Sequence, residues 1–244
     1  MIRWVLFALL WAMPVAAQVD CRDETHLGQG FAVCSVDLAQ ADLRTFLRDS
    51  EGKILGSFSR VAQRVEATGD TLAFAMNAGM FHADRSPVGL YVEDGAEAMR
   101  VIPNAGPGNF GMLPNGLLCI GEDRADVLET RAFMASETRC RFATQSGPML
   151  LVEGDLHPRF LPDSTSRYVR NGVGTSADGQ TAHFAISNSP VTFHEFAEFF
   201  RDVLGLKTAL YFDGSVSRLY APSLNRHDRG LPLGPMVGAV IPAN

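Results

Sequence analysis

Apolar residues in this chain gather in short runs that break off abruptly into polar and glycine-bearing turns. Thr208 to Phe212 runs without alternation into Asp213-Gly214-Ser215-Val216-Ser217. Leu72 to Met76 does the same into Asn77-Ala78-Gly79-Met80-Phe81-His82. An uninterrupted run of this length suits a strand covered on both faces. Further strands are predicted at Phe31 to Leu38, Thr181 to Ser187 and Met236 to Ile241. Leu43 to Leu47 reads as a short amphipathic or extended segment. Arg85 to Val92 leads into a strand closed by the hairpin signal Asp94-Gly95, and Leu113 to Ile120, broken by Pro114-Asn115-Gly116, reads as a tight hairpin. Arg170-Asn171-Gly172-Val173-Gly174 is expected to end in a turn.

Helical spacing occurs in few places. Val61, Ala62 and Val65 predict a helix over Ser57 to Ala67, closed by Gly69. Thr192 and Glu195 form a capping box, after which Phe193, Phe196, Ala197, Phe200, Val203 and Leu204 mark one apolar stripe and Gly205 supplies the cap. These elements predict an α+β fold, with a mixed β-sheet core and flanking helices. No repeat or low-complexity linker marks a boundary, so residues 18–244 are read as a single domain.

Met1 to Ala17 has the form of a secretory signal peptide: Arg3, an apolar run from Trp4 to Val15, then small residues before Gln18. Its apolar stretch is too short to span a bilayer, and no later run approaches that length, so no integral membrane segment is expected in the mature chain. Removing Arg3 with it leaves 20 basic against 27 acidic side chains. That excess disfavours nucleic acid and anionic lipid as partners, while leaving room for a discrete anionic group held by local arginines. Cys21, Cys34, Cys119 and Cys140 permit three pairings, of which the sequence-local Cys21–Cys34 and Cys119–Cys140 close the shortest loops. None stands in a C-x-x-C spacing or near a histidine cluster, so neither a metal site nor a cofactor is expected.

The polar ends of the apolar runs hold the candidate chemistry. Asp213 is a carboxylate at the end of a buried strand, and Gly214 is expected to let the backbone turn so that Ser215 and Ser217 face a ligand. Asn77 and Gly79 could hold a sugar hydroxyl or phosphate oxygen, and His82 is an acid or base candidate against the plainer reading of a solvated loop histidine. Thr144-Gln145-Ser146 precedes Gly147-Pro148 in a backbone shaped for contact. Arg167 and Arg170 offer paired donors suited to phosphate, with Asn171 beside the latter. The glycine-rich loop Asn104 to Gly111 lacks the lysine of a phosphate-cradling loop and is read as the wall or lid of a cleft. Glu195 already has a capping duty.

Five blocks, NAGMF at Asn77 to Phe81, SPVGLYV at Ser86 to Val92, QSGPMLL at Gln145 to Leu151, RNGVG at Arg170 to Gly174 and LYFDGSVS at Leu210 to Ser217, together resemble the phosphodiester glycosidase family. The family's domain also occurs in the enzyme that uncovers mannose 6-phosphate on lysosomal proteins. The resemblance runs from Leu72 to the C-terminus. It implies a mixed α+β domain and hydrolysis of a sugar-1-phosphodiester. Under it, Asp213 would face the anomeric carbon or activate water and Arg170 would hold phosphate. Asn77, Gly79, His82, Ser146, Gly147, Asn171, Gly214 and Ser217 would contact the sugar-phosphate substrate, and Asp84 and Glu195 are available as a second carboxylate. Two blocks depart from the family pattern: Asp213-Gly214-Ser215-Val216-Ser217 stands where a longer glycine run is common, and Asn77-Ala78-Gly79-Met80-Phe81 replaces N-G-G-F-F. The alternative is a module that binds envelope glycan without cleaving it.

Overall fold

The computed structural model describes residues 18–243; the leader reading of Met1 to Ala17 lies outside the described residues. The described chain is mostly β, with three sheets of seven, five and five strands. Every pairing is antiparallel, so the expectation of a mixed sheet is corrected. Helices Phe58–Glu66 and Phe193–Glu198 do carry the chain between strands of one sheet, but in each case an antiparallel strand lies between the two they connect. Helices are few and short, so the α+β description fits only loosely.

In the first sheet the order is Val19–His26, Gln29–Asp37, Thr181–Ser187, Asn171–Thr175, Ala209–Asp213, Met149–Val152 and Asp155–Leu156. The second is built on Asp70–Asn77 and Met236–Pro242, and the third on Phe142–Ser146 flanked by Tyr91–Glu93 and Gly116–Ile120. Their inner faces share one core: Phe184 and Leu210 of the first sheet, Phe74 and Met76 of the second, and Leu118 and Ile120 of the third belong to one buried cluster. Phe74 and Phe184 meet across it with ring centroids 4.8 Å apart.

Non-alternating runs now have a physical cause. Leu210 and Phe212 point into the shared core, while Ala209 and Tyr211 point the opposite way, under helix Phe193–Glu198 and its π-helical continuation Phe199–Val203. Thr192 accepts from the Glu195 amide at 3.1 Å and Glu195 accepts from the Thr192 amide at 2.8 Å, which is the expected capping box. Helix Phe58–Glu66 covers the second sheet with Phe58, Val61 and Val65, and is capped by Ser57.

Two other local expectations are corrected. Leu113 to Ile120 is no hairpin: the strand begins at Gly116 and pairs with Ala125–Glu129 and Phe142–Ser146 instead. Arg170 to Gly174 does not end in a turn but enters the buried strand Asn171–Thr175. Its glycines serve packing. A Cβ on Gly174 would stand 2.6 Å from Leu206 Cδ1 and 2.9 Å from the Thr208 carbonyl oxygen. The disulfides are Cys21–Cys34, across a registered strand pair, and Cys119–Cys140.

Candidate active site

Strand ends from all three sheets meet at one place. Asn77 ends Asp70–Asn77 of the second sheet, Ser146 ends Phe142–Ser146 of the third, and Asn171 and Asp213 face each other in the first. Asn77 and Asp213 each end an apolar run where the core ends, whereas Ser146 follows Thr144-Gln145 and Asn171 opens its strand, and strand pairing brings the four together.

Two buried amides hold the centre. Asn171 Nδ2 donates to the Asn77 carbonyl oxygen and to Asn77 Oδ1, both at 3.0 Å. Asn171 Oδ1 accepts from the Asp213 amide at 3.2 Å and from Ser217 Oγ at 3.1 Å, and Asn77 Oδ1 accepts from the Arg218 amide at 2.8 Å. Ser217 Oγ also lies 2.8 Å from the Asp213 carbonyl oxygen, and Ser146 Oγ donates to the Phe212 carbonyl oxygen at 2.9 Å. These side chains therefore fasten the turn after the strand, satisfying backbone groups that the core would otherwise leave unpaired.

Asp213 is half-buried at the lip. Its Oδ1 accepts from the Ser215 and Val216 amides. Oδ2 has no hydrogen-bond partner among the described residues, which leaves one carboxylate oxygen available to a ligand. Gly214 departs from expectation in its reason: its backbone is not left-handed, yet a Cβ there would collide with Tyr211 Oη. Gly214 is thus required by close approach of a phenol, not by the turn.

Arg170 sits beneath this turn and is 1% exposed. Its Nε donates to the Val191 carbonyl at 2.9 Å and its Nη2 to the Ser166 carbonyl at 3.0 Å, while Nη1 is buried without a partner. The guanidinium lies 3.7 Å from the Phe193 ring centroid, 5.3 Å from Tyr168 and 5.5 Å from Tyr211. No carboxylate pairs with it among the described residues. Burial lowers its pKa, and burial raises that of the Tyr211 phenol, which therefore stays protonated and able to donate. Asn109 of the glycine-rich loop faces the same hydroxyl, and its carbonyl oxygen would lie 3.3 Å from a Cβ on Gly147. That loop accordingly flanks the site.

Other expected residues lie farther out. The Gly79 amide donates to Thr144 Oγ1 at 3.0 Å, and a Cβ on Gly79 would stand 2.7 Å from that oxygen, so the close approach is to the neighbouring strand. Gly147 packs the same way, 2.7 Å from Asn115 Cβ were it to bear a Cβ. His82 is exposed in a turn, its amide donating to the Ser86 carbonyl at 2.8 Å, with no side-chain bond to the Asp213 group. Asp84 caps that turn through Ser86, and Glu195 is held by Arg167 at 2.7 Å and by its own helix cap. Tyr211, Tyr168, Phe193 and Asn109 were not selected from sequence. Tyr211 lies two positions before Asp213, but the strand register shifts between them, so alternation along the sequence does not by itself place the two side chains together.

Residues 70–238 match the model of the phosphodiester glycosidase family. YigE, an uncharacterized protein of Escherichia coli strain K12, is 31% identical over 219 residues, covering 88% of this chain and 84% of its own. Among solved structures, the catalytic domain of zebrafish N-acetylglucosamine-1-phosphodiester alpha-N-acetylglucosaminidase, auto-inhibited by its pro-peptide, superposes with a TM-score of 0.59 at 12% identity, over 90% of this chain and 81% of that one. A Synechocystis protein gives 0.58 at 13% identity, over 91% of this chain and 61% of its own.

Proposed function

This chain belongs to the phosphodiester glycosidase family, and on that premise we propose that it is an exported hydrolase of a glycosyl phosphodiester in an envelope polysaccharide or glycoconjugate. The observation that carries the reading is Asp213: a carboxylate at the junction of three sheets, oriented by turn amides through one oxygen and unpartnered at the other. A phosphate monoester leaves readily, so the reaction needs little acid assistance at the departing oxygen. It needs a carboxylate beside the anomeric carbon or its attacking water, and positive potential for the phosphate.

Asp213 supplies the first. Arg170 supplies the second as a buried cation with no internal counter-charge, acting through the low-dielectric layer formed by Tyr168, Phe193 and Tyr211. Tyr211, protonated and adjacent, donates a hydrogen bond toward the same anion. Asn77, Asn171, Ser146 and Ser217 fix the turn that aims Asp213, and Gly214 keeps it in contact with Tyr211. Cleavage breaks the bond between the anomeric carbon and oxygen and adds water, releasing a free sugar and a phosphate monoester. Export, to the periplasm or beyond, is supported by the leader pattern of Met1 to Ala17 and by both disulfides.

The test is turnover of a synthetic sugar-1-phosphodiester in water enriched in oxygen-18. The label is expected in the sugar. Label in the phosphate would make the protein a phosphodiesterase of another kind, and binding without turnover would make it a glycan-binding module.

A further inference from the structure

We infer that Tyr168 is the platform on which the sugar ring of the substrate stacks, a role that rests on the glycosyl phosphodiester reading above and names the residue that recognises its glycone. Five large apolar side chains are well exposed among the described residues: Leu27, Met134, Leu161, Tyr168 and Leu231. Single exposed hydrophobes are ordinary on a protein surface and mean little alone. Tyr168 differs from the others in how it is held and in what it adjoins.

Its backbone is not a loose loop tip. The Tyr168 amide donates to the Val191 carbonyl at 3.1 Å and the Val191 amide returns the bond at 2.9 Å, an isolated antiparallel bridge. The Arg170 guanidinium, itself fixed on the Val191 and Ser166 carbonyls, stands 5.3 Å from the Tyr168 ring centroid. A buried cation under an aromatic ring within this range holds it by cation–π attraction. The ring is therefore oriented before any ligand arrives, yet the residue is 51% exposed. A fixed orientation and an exposed surface together leave the ring available to a ligand beside the site.

The neighbour across the ring's base is the catalytic turn. A Cβ on Gly214 would lie 3.3 Å from Tyr168 Cβ, so the backbone beside Asp213 passes directly along this tyrosine. A pyranose carries apolar C–H groups on one face and hydroxyls at its edge. Laid on Tyr168, it would bury that face against the ring and turn its anomeric carbon toward the unpartnered Oδ2 of Asp213. Rigid aromatic area supplies such affinity at small conformational cost. No hydrogen-bond pattern needs to be matched, so Tyr168 selects a ring with an open apolar face and not one particular sugar.

The experiment compares Tyr168→Leu, Tyr168→Ala and Tyr168→Phe with the parent on one sugar-1-phosphodiester, with a melting curve for each. Leucine keeps apolar cover over Arg170 but has no flat face. The expected result is a KM raised about tenfold or more for the leucine protein with kcat falling less than KM rises, a comparable rise in KM with a larger fall in kcat for the alanine protein, which also uncovers Arg170, and phenylalanine within about twofold of the parent. An unchanged melting temperature in the leucine protein excludes a merely structural effect. Parental KM in a folded leucine or alanine protein overturns the platform while leaving the hydrolase reading intact. A parent that does not turn the substrate over removes the hydrolase reading and the platform with it.

Discussion

The Nδ2 of Asn171 reaches two oxygens of Asn77, one backbone and one side-chain, each at 3.0 Å, across 94 positions of sequence. This single nitrogen ties the first sheet to the second at the point where Asp213 emerges. Asn171→Ala leaves Asn77 Oδ1, the Asp213 amide and Ser217 Oγ each without one buried partner. A loss of about 2–4 kcal/mol in unfolding free energy is expected, measured by denaturant titration, together with loss of turnover. A variant as stable as the parent would show the clasp to be idle.

Asp213→Asn keeps an oxygen that can accept from the Ser215 and Val216 amides, so the turn should persist and the melting temperature should move little. Only the charge is lost. Turnover should fall on the order of a hundredfold or more if the carboxylate takes part in the chemical step. Parental turnover in the folded variant removes Asp213 from the mechanism.

Arg170→Lys affects more than a solvated phosphate clamp would. Lysine keeps charge but cannot reach both the Val191 and Ser166 carbonyls or present a planar face to Phe193. Both activity and stability should drop, the latter by about 2–4 kcal/mol. A variant that loses turnover at full stability would mean instead that the guanidinium meets phosphate directly.

Gly214→Ala should lower stability and activity because its methyl group meets Tyr211 Oη. Tyr211→Phe removes that oxygen, so the double variant should be more stable than the sum of its single changes. The readout is a double-mutant cycle of melting free energies, and strict additivity would contradict the contact.

Non-reduced peptide mapping should find Cys21 joined to Cys34 and Cys119 to Cys140. Reduction should cost about 3 kcal/mol for each bond, seen as a lower melting temperature after treatment with thiol.

Much of this architecture could be read from the chain because its apolar runs stop sharply. Thr208 to Phe212 and Leu72 to Met76 announce strands covered on both faces, and the capping box of Thr192 and Glu195 is local chemistry that needs no tertiary partner. Arg170 to Gly174 misled for the opposite reason. Glycines that signal a turn in isolation are here the only residues small enough for a central strand pressed against Leu206 and Leu210, and that crowding is tertiary. In the same way, sequence could select Arg170 but not reveal that it lies under Tyr168 and Tyr211, since the aromatic cover is assembled from distant segments.

A site located where three sheets converge has an evolutionary consequence. Strand ends fixed by the shared core are hard to alter without unfolding the chain, whereas the segment carrying Tyr168 and the glycine-rich loop carrying Asn109 lie outside that constraint. Such a chain can exchange the residues around the site while the strand end bearing Asp213 stays anchored, so divergence is expected to gather in those two segments before it reaches the scaffold.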